Sequence, residues 1–171
     1  MSILRKALFP FQIIYAAGVL LRKLAYLTPF FSRFNANIPT LVVGNLSTGG
    51  TGKTPVIDFL LDNFSKEFHL GMLSRGFGRK SKGFQLVENN SQVKNVGDEP
   101  LMLANKHPNV MIAVCENRPH GIIKMLHQNP KLNAIFLDDA LQHLALEPSF
   151  KIVLTTYQNP WFNDSLLPVG N

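Results

Sequence analysis

The sequence predicts an α/β fold, a doubly wound and mostly parallel sheet preceded by an apolar helix. Three observations carry that prediction. Short apolar runs near residues 41–43, 70–73, 110–114, 134–137 and 151–154 alternate with segments of helical period. A glycine-rich stretch, Ser47-Thr48-Gly49-Gly50-Thr51-Gly52-Lys53-Thr54, separates the first run from the first helical segment. Polar and charged residues, among them Arg75, Glu116 and Asp138-Asp139, follow the runs, where an open parallel sheet binds its ligands. At 171 residues the chain can bury roughly 70% of its unfolded surface in one domain. Its one cysteine, Cys115, reads as a small hydrophobe at a strand end, and there is no zinc or redox spacing.

The chain begins with a basic, apolar leader. Five of the seventeen lysines and arginines, Arg5, Lys6, Arg22, Lys23 and Arg33, lie within residues 1–33, whereas Asp58 is the first carboxylate. The other twelve stand against eleven acids, so five of the six net positive charges belong to the leader and not to a nucleic-acid-binding face. Ala7 to Leu21 is a charge-free run of 15 residues, about 22 Å as a helix against a hydrocarbon core of ~30 Å. Arg5, Gln12 and Lys23 fall on one line of that helix. The pattern predicts a helix over 1–28 lying in a membrane interface, its cations snorkelling to anionic head groups. The alternatives are a short spanning anchor reaching Leu27, a core helix, or a secretory signal, which lacks a small-residue cleavage site. Thr28-Pro29 and Ile38-Pro39 mark 29–39 as a linker and 40–171 as the globular domain.

Leu41 to Thr54 reads as buried strand, loop and helix start, the layout of a phosphate cradle. Backbone N–H groups of such a loop wrap a polyphosphate, Lys53 reaches the terminal phosphates, and the Thr54 hydroxyl holds Mg²⁺. Ser47 stands where the strict pattern has glycine. Val56, Ile57, Leu60, Leu61 and Phe64 then recur at helical period, with Pro55 tolerated in the first turn. His69 to Ser74 predicts a strand ending in Arg75-Gly76-Phe77-Gly78-Arg79-Lys80-Ser81-Lys82-Gly83, either a solvated turn or an anion-facing loop, the preferred reading. Phe84 to Glu88 suggests an edge strand.

Asp98, in Gly97-Asp98-Glu99-Pro100, suits a helix N-cap, which by itself would account for it. Val110 to Val114 predicts another strand and Gly121 to Gln128 a helix. Between them, Arg118 either binds phosphate at a strand terminus or lies on a solvated helix start. Ala134 to Asp139 is an apolar strand leading into two carboxylates, the placement a phosphate-loop enzyme uses to hold or orient Mg²⁺. Gln142 and His143 follow, and a lone histidine is usually structural. Lys151 to Thr155 reads as a further buried strand. No Asn-Lys-x-Asp guanine-reading element occurs, which disfavours a GTPase switch.

Six blocks, in order, resemble the tetraacyldisaccharide 4′-kinase family of the lipid A pathway. They are Val43-Gly44-Asn45-Leu46-Ser47 with Gly49 to Thr54, Leu73 to Arg79, Gly97 to Pro100, Asn117-Arg118, Asp138-Asp139 with Gln142-His143, and Leu166 to Gly170. Ser47 in place of glycine is usual in that family. The resemblance implies a P-loop NTPase-like kinase domain over 40–171. It also implies ATP- and Mg²⁺-dependent phosphorylation of the 4′-hydroxyl of a lipid A disaccharide 1-phosphate, at the cytoplasmic face of the bacterial inner membrane. It assigns nucleotide binding to Ser47, Thr48, Gly49, Gly50, Thr51, Gly52, Lys53 and Thr54. Thr54, Asp138 and Asp139 serve Mg²⁺, and Asp98, Lys53 and Asp139 are the catalytic candidates. Arg75, Arg79, Arg118 and His143 are candidate phosphate or substrate contacts. Family members continue past the Leu-Pro-x-Gly element into a second α/β part that supplies a histidine to work with Asp98. The expectation is therefore a kinase N-terminal portion, inactive without that part in cis or trans. The alternative is a membrane-associated nucleotide-binding module without transfer activity.

Overall fold

The computed structural model describes residues 9–26, 28, 33–45 and 52–157. Five helices and six strands occur there: α1 Phe9–Ala25, β1 Thr40–Asn45, α2 Lys53–Phe64, β2 Leu70–Ser74, β3 Gln85–Leu86, α3 Val93–Val96, α4 Asp98–Lys106, β4 Met111–Val114, α5 Arg118–Gln128, β5 Ala134–Asp138 and β6 Phe150–Leu154. Ser47 to Thr51 of the phosphate loop and the Leu166 to Gly170 block lie outside the described residues.

The strands form one sheet in the order β3-β4-β2-β5-β1-β6. All neighbours are parallel except β3, which runs antiparallel to β4. Most strand residues in its centre are apolar on both faces, so the strands read as continuous hydrophobic runs. On one face Val43, Met72, Ile112, Val114 and Phe136 pack with Ile57 and Leu61 of α2 and Leu103 and Ala104 of α4. On the other, Val42, Leu73, Ala113, Ile135 and Leu137 pack with Ile122 and Met125 of α5. Connections running toward β4 therefore lie on one face and the return through α5 on the other, as right-handed crossovers require. Register places Val43 beside Asp138 and Leu73 beside Leu137, so β1, β2 and β5 end at one level.

Several expectations change in detail. Residues 33–38 do more than link: Phe34 exchanges backbone hydrogen bonds with Ala145 (2.8 Å) and Glu147 (2.9 Å), and Phe34, Ala36 and Ile38 pack against the α5-side core. Asp98 is the first residue of α4 and Gly97 is its N-cap, because the chain turns there at φ 91°, a conformation suited to glycine. β6 is a half-exposed edge and not a buried strand, with Phe150 67% and Val153 45% exposed. Beside it, Leu41, Leu60, Phe64, Phe136, Phe150 and Ile152 line an apolar cavity of ≈ 440 Å³. On α1, Tyr15, Leu20, Leu21 and Leu24 are exposed, and no described helix is long and apolar enough to cross a membrane.

A polar clamp ties α2 to the end of α4. Lys106 Nζ donates to Asp58 at 2.6 Å and lies 3.4 Å from Asp62, while the buried His107 ring meets Asp58 Oδ1 at 2.7 Å. The Lys106 ammonium, helped by His107 and opposed by burial, holds the Asp58 carboxyl below its ordinary value of 3.8. A depressed carboxyl stabilises the fold above its unfolded value and loses that contribution as pH falls through the folded one. The difference in urea midpoint between the parent and Asp58→Asn is therefore expected to be full above about pH 3.8 and to close below it. His107→Ala is expected to destabilise by about 1–3 kcal/mol at neutral pH, read as the same midpoint.

Candidate phosphoryl-transfer site

The C-terminal ends of β1 and β5 and the start of α2 bring the first group of candidates together. Gly52 caps α2, so Lys53 and Thr54 open the helix with the positive end of its dipole beside them. Lys53 Nζ donates to Asn45 Oδ1 at 2.8 Å and stands 3.7 Å from Asp139 Oδ1, which fixes an ammonium over the strand ends. The Thr54 hydroxyl donates to Glu99 Oε2 at 3.0 Å, linking the first turns of α2 and α4. Asp98, in that same first turn of α4, is exposed.

The two adjacent aspartates point to different surroundings. Asp139 has φ 51°, an uncommon value outside glycine, and its N–H donates to Val43 O at 2.9 Å. Asp139 then reaches the cleft, whereas Asp138 is buried and accepts from Ser74 Oγ at 3.0 Å. Burial pushes the Asp138 carboxyl up, against the Ser74 hydrogen bond, and the carboxylates of Asp139 and Glu99 add to the rise. Arg75, Glu116, Arg118, Asp139, Gln142 and His143 line the adjoining polar cleft of ≈ 310 Å³. His143 Nε2 accepts from the Arg118 backbone N–H at 3.3 Å, and the Gln142 amide donates to Asn45 O at 3.3 Å.

The three candidate arginines have three placements. Arg75 is exposed at the cleft. The Arg79 guanidinium turns back into its own loop, 2.7 Å from Glu116 and donating to Gly83 O at 2.7 Å and Ser81 Oγ at 3.1 Å. Arg118 is 3% exposed and donates to Cys115 O and, at 2.8 Å, to Asp138 O. It thus begins α5 as a buried brace between two strand ends, an arrangement neither sequence reading anticipated. Cys115 is buried and burial raises its thiol, in keeping with a packing role.

The model of the tetraacyldisaccharide-1-P 4′-kinase family matches residues 4–171. The chain belongs to this family. It is 43% identical over 171 residues to the tetraacyldisaccharide 4′-kinase of Flavobacterium johnsoniae, spanning 100% of this chain and 50% of that protein. It is 39% identical over 168 residues to that of Bacteroides thetaiotaomicron, spanning 98% of this chain and 44% of that one. Its fold matches the crystal structure of LpxK from Aquifex aeolicus in complex with ATP with a TM-score of 0.87 and 34% identity, over 99% of this chain and 54% of that one. The chain therefore spans about half the length of the curated relatives it matches.

Among the family's candidate residues, Lys53 and Asp139 meet at the C-terminal ends of β1 and β5, Thr54 follows Lys53 on α2 and binds Glu99 beside Asp98, and Asp138 lies buried against Ser74. Three partners went unassigned in the sequence: Asn45, which holds Lys53; Ser74, which holds Asp138; and Glu99, which holds Thr54. Each is a polar residue at a strand end or helix start within two residues of an assigned one, and that proximity is the signal the sequence offers. Among the described residues no three His, Cys, Asp or Glu side chains form a metal cage. Nucleotide-bound Mg²⁺ needs less, one or two carboxylates beside phosphate oxygens, and hard oxygen donors are what Thr54, Asp138 and Asp139 offer. Because burial disfavours the charged Asp138, the isosteric Asp138→Asn, which keeps an acceptor for Ser74, is expected to melt higher at neutral pH. That gain is full above the raised folded value and disappears below the ordinary 3.8, as thermal melts across pH would show.

Proposed function

We propose that the full-length protein transfers the γ-phosphate of ATP to the 4′-hydroxyl of a tetraacyldisaccharide 1-phosphate, at the cytoplasmic face of a bacterial inner membrane. The observation that carries this reading is the meeting of Lys53, Thr54 and Asp139 at the ends of β1 and β5, with Asp98 and Glu99 opening α4 alongside. Phosphoryl transfer needs positioning and charge stabilisation more than covalent chemistry. In this reading Lys53 neutralises the β- and γ-phosphates, and Asn45 keeps it aimed. Asp98, exposed on the first turn of α4, takes the proton of the attacking sugar hydroxyl. Arg75 meets phosphate in the polar cleft. Mg²⁺, held by Thr54 and the Asp138-Asp139 pair, supplies further neutralisation of phosphate charge when bound. The exposed leucines of α1 support seating it in the membrane interface, next to an acylated substrate.

The 171-residue chain alone is a different matter. It has half its relatives' length, and β6 with its apolar cavity is uncovered among the described residues. Those two observations favour a nucleotide-binding portion that gains transfer activity only with the companion half. The test is transfer of labelled γ-phosphate to lipid A disaccharide 1-phosphate by the full-length product and by this chain. Transfer by the first and binding of ATP without transfer by the second are expected. No transfer by the full-length product would sink the kinase reading.

A further inference from the structure

The loop after β2 carries a feature that phosphate chemistry leaves unused. Phe77 is 90% exposed at its tip, flanked by Gly76 and Gly78, both at positive φ. A mobile loop could fold such a ring inward, but this one is tied to α3 and to Glu116. Arg79 N–H donates to Gly76 O at 3.2 Å, Lys80 N–H donates to Lys94 O at 2.7 Å, and Ser81 Oγ donates to Asn95 O. Beneath, Arg79 binds Ser81, Gly83 and Glu116, and Glu116 Oε2 accepts the Gly83 N–H at 3.0 Å. Burial alone would raise the Glu116 carboxyl, yet these N–H groups and the guanidinium outweigh it and hold the group charged. Gly76 is buried, and a side chain there would run within 2.9 Å of Val96 O, so the loop is seated against α3.

The loop's own segment is basic. Residues 75–97 hold Arg75, Arg79, Lys80, Lys82 and Lys94 against the single acid Glu88, and the exposed Asp98 and Glu99 follow at the start of α4. Arg79 is used internally, and the other four cations are exposed. A protruding aromatic ring on a hydrogen-bonded loop that also carries exposed lysines is the side-chain set that enters the head-group layer of an anionic bilayer: the ring goes below the phosphates and the ammoniums stay at their level. We propose that the Phe77 loop is a membrane-contact element that seats the β3 edge of the sheet, and with it the Arg75 side of the cleft, on an anionic lipid surface. The inference rests on the reading that the substrate is a membrane lipid, but its test needs no phosphate transfer.

In the full-length product, Phe77→Trp adds a reporter whose emission is read as the difference from the parent. Brominated vesicles containing phosphatidylglycerol are expected to quench that added emission, while zwitterionic vesicles leave it nearly unchanged. Lys80→Gln and Lys82→Gln are each expected to weaken partitioning to the anionic vesicles about five-fold. Phe77→Asp is expected to abolish the loop's contribution without lowering the thermal midpoint, since the residue is 90% exposed. Added emission that anionic vesicles fail to quench overturns the proposal. So does emission already shielded from aqueous acrylamide without vesicles, which would mean that protein covers the ring. Loss of kinase activity with quenching intact would instead count against the proposed reaction.

Discussion

Lys53→Ala in the full-length protein is expected to lower the rate of γ-phosphate transfer about 10³-fold. The ammonium is aimed by Asn45 Oδ1 at 2.8 Å and stands 3.7 Å from Asp139, so it is held before the nucleotide arrives and needs no reorganisation. Its loss removes a positive charge from the place where negative charge moves, and water supplies only a weak substitute. Stability is expected to change little. Lys53 and Asp139 are 22% and 46% exposed in their side chains, and an ion pair so open to water contributes roughly 0–1 kcal/mol. Arginine is a poor replacement, because its planar fork is wider than the compact ammonium set between one amide and one carboxylate. Asn45→Ala, which leaves the charge but not its aim, is expected to lose about ten-fold. A Lys53→Ala enzyme within ten-fold of the parent in single-turnover transfer would move phosphate neutralisation elsewhere in the site.

How far the sequence reveals this molecule depends on which forces are local. Strands β1, β2, β4 and β5 are legible because strands buried on both faces must be apolar throughout, and Val42-Val43, Met72-Leu73 and Leu137 satisfy that requirement. The glycine-lysine-threonine start of α2 and the acids ending β5 are legible because phosphate and Mg²⁺ chemistry demands particular residue types there. β6 misleads for the same reason that the others inform. Its apolar residues imply a cover, but the cover is not among the described residues, and Phe150 stays 67% exposed. Thr54 with Glu99 and Ser74 with Asp138 are partnerships across 45 and 64 residues, set by strand order and register, which no local pattern encodes. Arg79 and Arg118 show the limit most plainly. Both follow strands among candidate anion-binding residues, and both turn their guanidinium groups onto the protein's own carbonyls.

Arg118 separates a phosphate contact from a brace by experiment. Its guanidinium is 3% exposed and its donors go to the carbonyls of Cys115, just beyond β4, and Asp138, the last residue of β5. Burial lowers its hold on the proton, opposed by the nearby Asp138, yet a guanidinium remains charged under these conditions. Arg118→Ala empties that volume and removes a charged donor from two buried carbonyls, an expected loss of about 3–5 kcal/mol. For a chain of this size that is a fall in melting midpoint of the order of 10 °C. Arg118→Lys is expected to recover less than half, because one ammonium cannot reproduce a fork that spans two strand ends. A contact made only with ATP predicts the reverse, a raised KM for ATP with an unchanged midpoint. The brace also predicts how activity should fail. The Asp138 carbonyl immediately precedes Asp139, whose φ of 51° is held by its own bond to Val43. Freed from Arg118, that turn relaxes, Asp139 moves away from Lys53, and kcat falls with stability while KM for ATP changes little.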